Sequence, residues 1–130
     1  MNLNSVIVFD HCIYNENEFW CGDKNVKTLL FHGRVMKSSS IITMQYPSGI
    51  PPILYVQFDY LFIFQDTYLP YRCQIWEKYV KRIFPSMEEF CDLMDELVEP
   101  YECYVIHISS NFNDLEKIVF YYSGNENNLS

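Results

Sequence analysis

The spacing of apolar residues changes part-way along this chain of 130 residues. From Ile53 to Gln65 the chain reads as an extended strand with two apolar faces. Leu54, Val56, Phe58, Tyr60, Phe62 and Phe64 fall on one side, with Ile53, Tyr55, Leu61 and Ile63 on the other. A strand apolar on both faces suits the centre of a sheet, here with a bend expected near Asp59. From Tyr71 to Phe84 the period becomes helical. Ile75, Trp76, Tyr79, Val80, Ile83 and Phe84 form a stripe, with Glu77 and Lys81 as an i,i+4 pair on the polar side. Pro85 ends that helix.

A second helix is predicted over 86–98. Ser86-Met87-Glu88-Glu89 fits the capping box S-x-x-E, in which a hydroxyl and a carboxylate satisfy orphan backbone N–H groups. Met87, Phe90, Cys91, Met94, Leu97 and Val98 share its apolar face, and Pro100 closes it. Strands are expected at Ser5–Phe9 and Ile41–Tyr46, and a short one at Phe19-Trp20-Cys21. Lys27–Met36 suits either helix or strand; Gly33 and the lack of a clean helical period favour strand, with Ser38–Ser40 as the turn after it. Asn15–Asn17 is an expected turn. Pro47–Pro52, with three prolines and a glycine, reads as a loop. Tyr104–Ile108 and Ile118–Tyr122 form a final hairpin around Ser109–Asp114. The fold class expected is α+β: an antiparallel sheet of about five or six strands with two consecutive helices (about 71–84 and 86–98) before a C-terminal hairpin. The length suits a single domain, 1–130, with a frayed polar tail over 123–130.

The net charge is -8, so a direct nucleic-acid contact or an anionic membrane is disfavoured and a basic protein partner favoured. Met1–Ser5 lacks the basic region of a secretory signal, and the apolar run Tyr60–Phe64 is far shorter than the ~20 residues that span a bilayer. A cytoplasmic location is expected. The five cysteines (Cys12, Cys21, Cys73, Cys91, Cys103) then read as reduced thiols. There is no alanine, and Asn, Ile, Phe and Tyr are abundant, a bias that points to an AT-rich gene.

Chemistry-bearing patterns are few. His11-Cys12 with Cys21, completed by His32 or His107, matches no zinc spacing. Cys103 and His107 lie four apart on a strand, roughly 13 Å, too far for a hydrogen bond. The four glycines are scattered and form no phosphate-cradling loop. Asp59 in its apolar surroundings is exposed, paired or at a ligand site. No catalytic residue, metal or cofactor is expected. What stands out is a run of carboxylates with no Lys or Arg between Arg82 and Lys117: Glu88, Glu89, Asp92, Asp95, Glu96, Glu99 and Glu102. Glu88, Asp92, Asp95 and Glu99 follow i, i+4, i+7, i+11 and share one helix face. Such a face either docks a basic partner or keeps an aromatic-rich protein soluble. Carboxylates spread along a helix do not converge on one cation. Tyr68, Tyr71, Tyr101 and Trp20, near turns or helix ends, are the aromatics expected at a surface, and Tyr101 adjoins the acidic run.

The segment Phe84-Pro85-Ser86-Met87-Glu88-Glu89-Phe90, in a small acidic α+β chain without a catalytic motif, resembles the immunity proteins of bacterial contact-dependent inhibition and other polymorphic toxin systems. That resemblance implies stoichiometric neutralisation of a toxin domain, often a basic nuclease, through Glu88, Glu89, Asp92, Asp95, Glu96, Glu99, Tyr101 and Glu102. The alternatives are a phage or mobile-element protein that mimics DNA, and a small enzyme or scaffold.

Overall fold

The computed structural model describes residues 4–10, 24–33, 35–45, 50, 55–109 and 114–124. The expected strand Phe19–Cys21, the turn at Asn15–Asn17, most of the Pro47–Pro52 loop and the tail beyond Gly124 lie outside them. The chain divides into two compact units, Met1–Gln57 and Phe58–Ser130.

The first unit is a strand–helix–strand arrangement: β1 (Ser5–Asp10), α1 (Lys24–His32) and β2 (Ser38–Thr43). β1 and β2 pair in parallel, in register from Ser5 opposite Ser38 to Asp10 opposite Thr43. This corrects the all-antiparallel sheet. Two further corrections follow. Lys24–His32 is helix where Lys27–Met36 was expected as strand: Val26, Leu29 and Leu30 recur at i, i+3, i+4, and Gly33 ends the helix instead of breaking a strand. A Cβ at Gly33 would lie 2.7 Å from the Leu29 carbonyl oxygen and 3.0 Å from that of Ser38, so only glycine lets β2 leave so close to the helix. Ser38–Ser40 opens β2, and the turn falls at Val35–Lys37, where Lys37 adopts φ 53°. Val6, Val8 and Ile41 remain exposed on these strands.

The second unit is a three-stranded antiparallel sheet, β3 (Tyr60–Phe64), β4 (Glu102–His107) and β5 (Val119–Ser123), in the order β3-β4-β5. The α+β class therefore holds in outline, but five strands among the described residues are split between two sheets. β3 is shorter than the segment expected from Ile53, because Val56 and Gln57 form a turn and the strand starts only after Asp59. It also has one inner face. Ile63 is buried, whereas Tyr60, Phe62 and Phe64 are exposed. The final hairpin forms as expected, with one helical turn, α4 (Leu115–Ile118), inserted before β5.

Between β3 and β4 run α2 (Leu69–Ile75), which passes into a π-helical turn at Trp76–Val80, and α3 (Met87–Asp95). Pro70 sits in the first turn of α2, where its missing N–H is no loss. Lys81 lies over the Trp76 ring, 5.0 Å from its centroid, in place of the expected pairing with Glu77. The Trp76 indole N–H donates to the Phe84 carbonyl at 2.7 Å and fixes the chain as it leaves the π turn. In α3, Phe90 and Met94 are fully buried, as is Leu97 just beyond it. Each contributes roughly 2 kcal/mol through lost apolar exposure. They join Ile63, Val80, Phe84, Tyr104 and Ile106 in the core of this unit.

Candidate functional site

The expected acidic site is built on α3. Ser86 caps it as predicted, its hydroxyl accepting the Glu89 N–H at 3.3 Å. The helix ends at Asp95, three residues short of the expected boundary. Glu102 explains the difference: its carboxylate accepts the N–H groups of Val98 and Glu99, both at 3.0 Å, and turns the chain out of the helix. Val98 consequently faces solvent instead of the core. Tyr101 then takes a left-handed conformation, φ 67°, with its ring exposed.

The eight expected residues divide into two groups. Asp95, Glu96 and Glu102 are engaged within the unit. Asp95 accepts from Arg72 Nη2 at 2.7 Å. Glu96 accepts the Tyr104 hydroxyl at 2.8 Å. Glu102 accepts the Tyr121 hydroxyl in a short hydrogen bond, in addition to the two backbone N–H groups. These donors, Tyr121 first, hold the Glu102 carboxyl below its ordinary pKa. Burial and the Glu96 carboxylate push the Tyr104 phenol above its ordinary range, so it stays a donor. Glu88, Glu89, Asp92, Glu99 and Tyr101 remain exposed. The docking face is therefore narrower than the run of carboxylates suggested.

Arg72 is the residue the sequence reading passed over here. It is the buried charged residue among those described. Besides Asp95 it donates from Nε to the Asp66 carbonyl at 2.5 Å, and from Nη1 to the Cys91 carbonyl at 3.5 Å. It thus ties α2 to the loop before it and to α3. Asp95 raises its already high pKa, so it stays protonated. Only contact between distant elements creates this clamp, so no local signal announced it.

The other candidates fall apart. His11, Cys12, Cys21 and Trp20 lie outside the described residues. His32 is at the end of α1, and His107 stacks on Tyr60 with ring centroids 4.7 Å apart. Among the described residues no three His, Cys, Asp or Glu side chains are grouped as a metal site. Cys73, Cys91 and Cys103 are free thiols, and burial raises the pKa of Cys103. Tyr68 and Tyr101 are exposed, while Tyr71 is half-buried with its ring edge-on to Tyr68. Asp59 is half-buried, and its carbonyl accepts the Ile108 N–H at 3.0 Å.

A second constellation is absent from the sequence reading. β1 is a run of apolar residues, Val6-Ile7-Val8-Phe9, ending in Asp10. In the parallel register Asp10 stands opposite Thr43, at the carboxyl ends of both strands. The Thr43 hydroxyl donates to Asp10 Oδ1 at 2.5 Å. Ligands of open α/β sheets bind at this end of parallel strands. The signal that could have found it is four apolar residues capped by an aspartate, but the parallel partner lies 33 residues away.

No protein-family model matches the chain. It is similar to the uncharacterized protein L437 of Acanthamoeba polyphaga mimivirus, 24% identical over 127 residues, covering 98% of this chain and 44% of that protein. It is similar also to the uncharacterized protein 088R of Invertebrate iridescent virus 3, 28% identical over 119 residues, covering 91% and 44%. The chain thus spans less than half the length of these relatives. Among solved structures it is similar to B204, the DNA-packaging ATPase from Sulfolobus turreted icosahedral virus, with a TM-score of 0.66 at 14% identity. The match covers 92% of this chain and 52% of that one. B204 of Sulfolobus turreted icosahedral virus 2, a genome packaging NTPase in complex with AMPPCP, gives 0.64 at 12% identity. At these identities the likeness is one of fold. No helix among the described residues is long and apolar enough to cross a membrane.

Proposed function

We propose that this chain is the part of a viral genome-packaging NTPase that carries the metal-holding aspartate, Asp10. One observation carries the reading: Asp10 and Thr43 are hydrogen-bonded side by side at the carboxyl end of a parallel strand pair. P-loop NTPases hold magnesium with an aspartate at the end of such a strand and with a Ser or Thr of the phosphate loop. The fold likeness to the B204 ATPases supports the assignment. So does the exposure of Val6, Val8 and Ile41, because parallel strands are covered on both faces in complete α/β folds.

The residues present fit a magnesium ion. Magnesium is commonly held by one or two carboxylates together with substrate phosphates, so the exposed Asp10 carboxylate is sufficient and a three-ligand cluster is not needed. When bound, the ion would neutralise charge on the phosphates. Asp10 would hold the ion, and Thr43 would fix the orientation of the Asp10 carboxylate. The sequence contains no G-x-x-x-x-G-K-[ST], so in this reading the phosphate-binding loop belongs to polypeptide outside these 130 residues.

The test is NMR of the chain with manganese–ATP, a complex of net negative charge that the acidic helix repels. Broadening should begin at Asp10 and Thr43 and disappear in Asp10→Asn. Broadening that begins at Glu88–Asp92, or that survives D10N, would overturn the reading.

A second reading, an immunity or inhibitor protein docking a basic toxin domain, is supported by the exposed carboxylates Glu88, Glu89, Asp92 and Glu99. Charge reversal at Glu88, Glu89 and Asp92 would then weaken the partner's affinity in a folded variant. Unchanged affinity would eliminate it.

A further inference from the structure

The net charge of -8 is unevenly placed. Residues 1–57 carry four acidic and four basic residues, whereas residues 58–130 carry thirteen acidic and five basic ones. The first unit is therefore neutral, and the repulsion of nucleic acid inferred from the whole chain belongs to the second. Within the first unit the basic side chains are concentrated. Lys24, Lys27, Thr28 and Phe31 follow i, i+3, i+4, i+7 along α1, with His32 one turn beyond Thr28. These five line an open depression of about 390 Å³. Lys24, Lys27, Thr28, Phe31 and His32 are all exposed. Among the described residues no carboxylate pairs with Lys24 or Lys27. The Thr28 hydroxyl bonds back to the Lys24 carbonyl at 2.9 Å.

A cationic face with no carboxylate partner among the described residues, on a neutral unit, has to be explained against the obvious alternative of solubility. Solubility is served by interspersed signs. Here α1 carries no acidic residue at all. The row from Lys24 to His32 is nine residues, eight helical rises or about 12 Å, which matches roughly three successive phosphates of one DNA strand. Lysine ammonium groups meet phosphates as point charges, and Phe31 offers an apolar contact for sugar carbons, while the Thr28 hydroxyl proton stays on the Lys24 carbonyl.

We infer that the exposed face of α1 (Lys24, Lys27, Thr28, Phe31, His32) contacts the phosphate backbone of duplex DNA. This rests on the packaging-NTPase reading, and it adds where the polymer touches this chain. The surface reads no sequence, since every group on it suits phosphate or sugar.

The experiment is a fluorescence-anisotropy titration of a labelled duplex with the whole chain across a salt series. Lys24→Gln with Lys27→Gln should weaken binding at least fivefold and make the salt slope shallower by about two. Glutamine keeps helix propensity, and circular dichroism checks the fold. Lys78→Gln with Lys117→Gln removes the same charge from the second unit and should change affinity less than twofold. The inference is overturned if the duplex does not bind, if K24Q/K27Q binds as well as the parent, or if both double variants lose equally. It is overturned too if poly-glutamate competes as well as unlabelled duplex, because the surface then serves acidic polypeptide. Failure of the manganese test at Asp10 leaves this titration unaffected, and failure here leaves Asp10 unaffected.

Discussion

Arg72 and Asp95 form a pair whose two halves should differ in worth, and the difference decides what Asp95 is for. The Arg72 side chain is 8% exposed and that of Asp95 66%. Removing Arg72 by Arg72→Ala loses the bond to the Asp66 carbonyl, worth about 1.5 kcal/mol or more because the donor is charged. It loses the packing of a buried stem, about 1 kcal/mol. It also loses the ion pair, which solvent on the Asp95 side limits to about 0.5–1 kcal/mol. The 3.5 Å contact to the Cys91 carbonyl is long and adds little. The sum is about 3 kcal/mol. Asp95→Ala removes only the pair, and water can replace the carboxylate at the open side, so about 1 kcal/mol is expected. In urea at a slope of ~2 kcal/mol/M, R72A should lower the midpoint by about 1.5 M and D95A by about 0.5 M. A double-mutant cycle should return a coupling of about 0.5–1 kcal/mol. Equal shifts, or a larger one for D95A, would refute the asymmetry and with it the view that Arg72 is the anchor. No coupling would mean that Asp95 is available for a partner.

Glutamate 102 makes stability depend on pH. Its folded pKa is depressed, so its contribution is present above the ordinary glutamate range and fades as pH falls through the folded value. The stability gap between the parent and Glu102→Gln, measured by urea unfolding, should therefore shrink from pH 7 to pH 3. Ser86→Ala should cost about 1 kcal/mol through loss of the α3 cap, read as a lower midpoint in the same assay. Gly33→Ala should destabilise the first unit, because its Cβ would press on the Leu29 and Ser38 carbonyl oxygens; a raised melting temperature would contradict that placement.

Which parts of this fold were legible follows from how local their causes are. α3 was legible because its cap is three residues from its partner and Phe90, Met94 and Leu97 recur at helical spacing. The last hairpin was legible for the same reason. α1 was misread because Gly33 looks the same whether it breaks a strand or closes a helix, and only the approach of the Ser38 carbonyl distinguishes them. The parallel pairing of β1 with β2 is a long-range choice that no turn residue encodes. The acidic run was seen, but its division was not. Arg72, Tyr104 and Tyr121, which engage Asp95, Glu96 and Glu102, come from other elements. Asp10 was visible only as the end of a strand. Its meaning depends on Thr43 and on the carboxyl end of a parallel pair.

The central claim is that Asp10 holds the metal of a packaging NTPase, and the most direct measurement is magnesium-dependent ATP hydrolysis by the assembly isolated from its native source. With Asp10→Asn in this chain, hydrolysis should fall by about two orders of magnitude, while Asp92→Asn leaves it unchanged. Hydrolysis that persists undiminished in D10N would contradict the account.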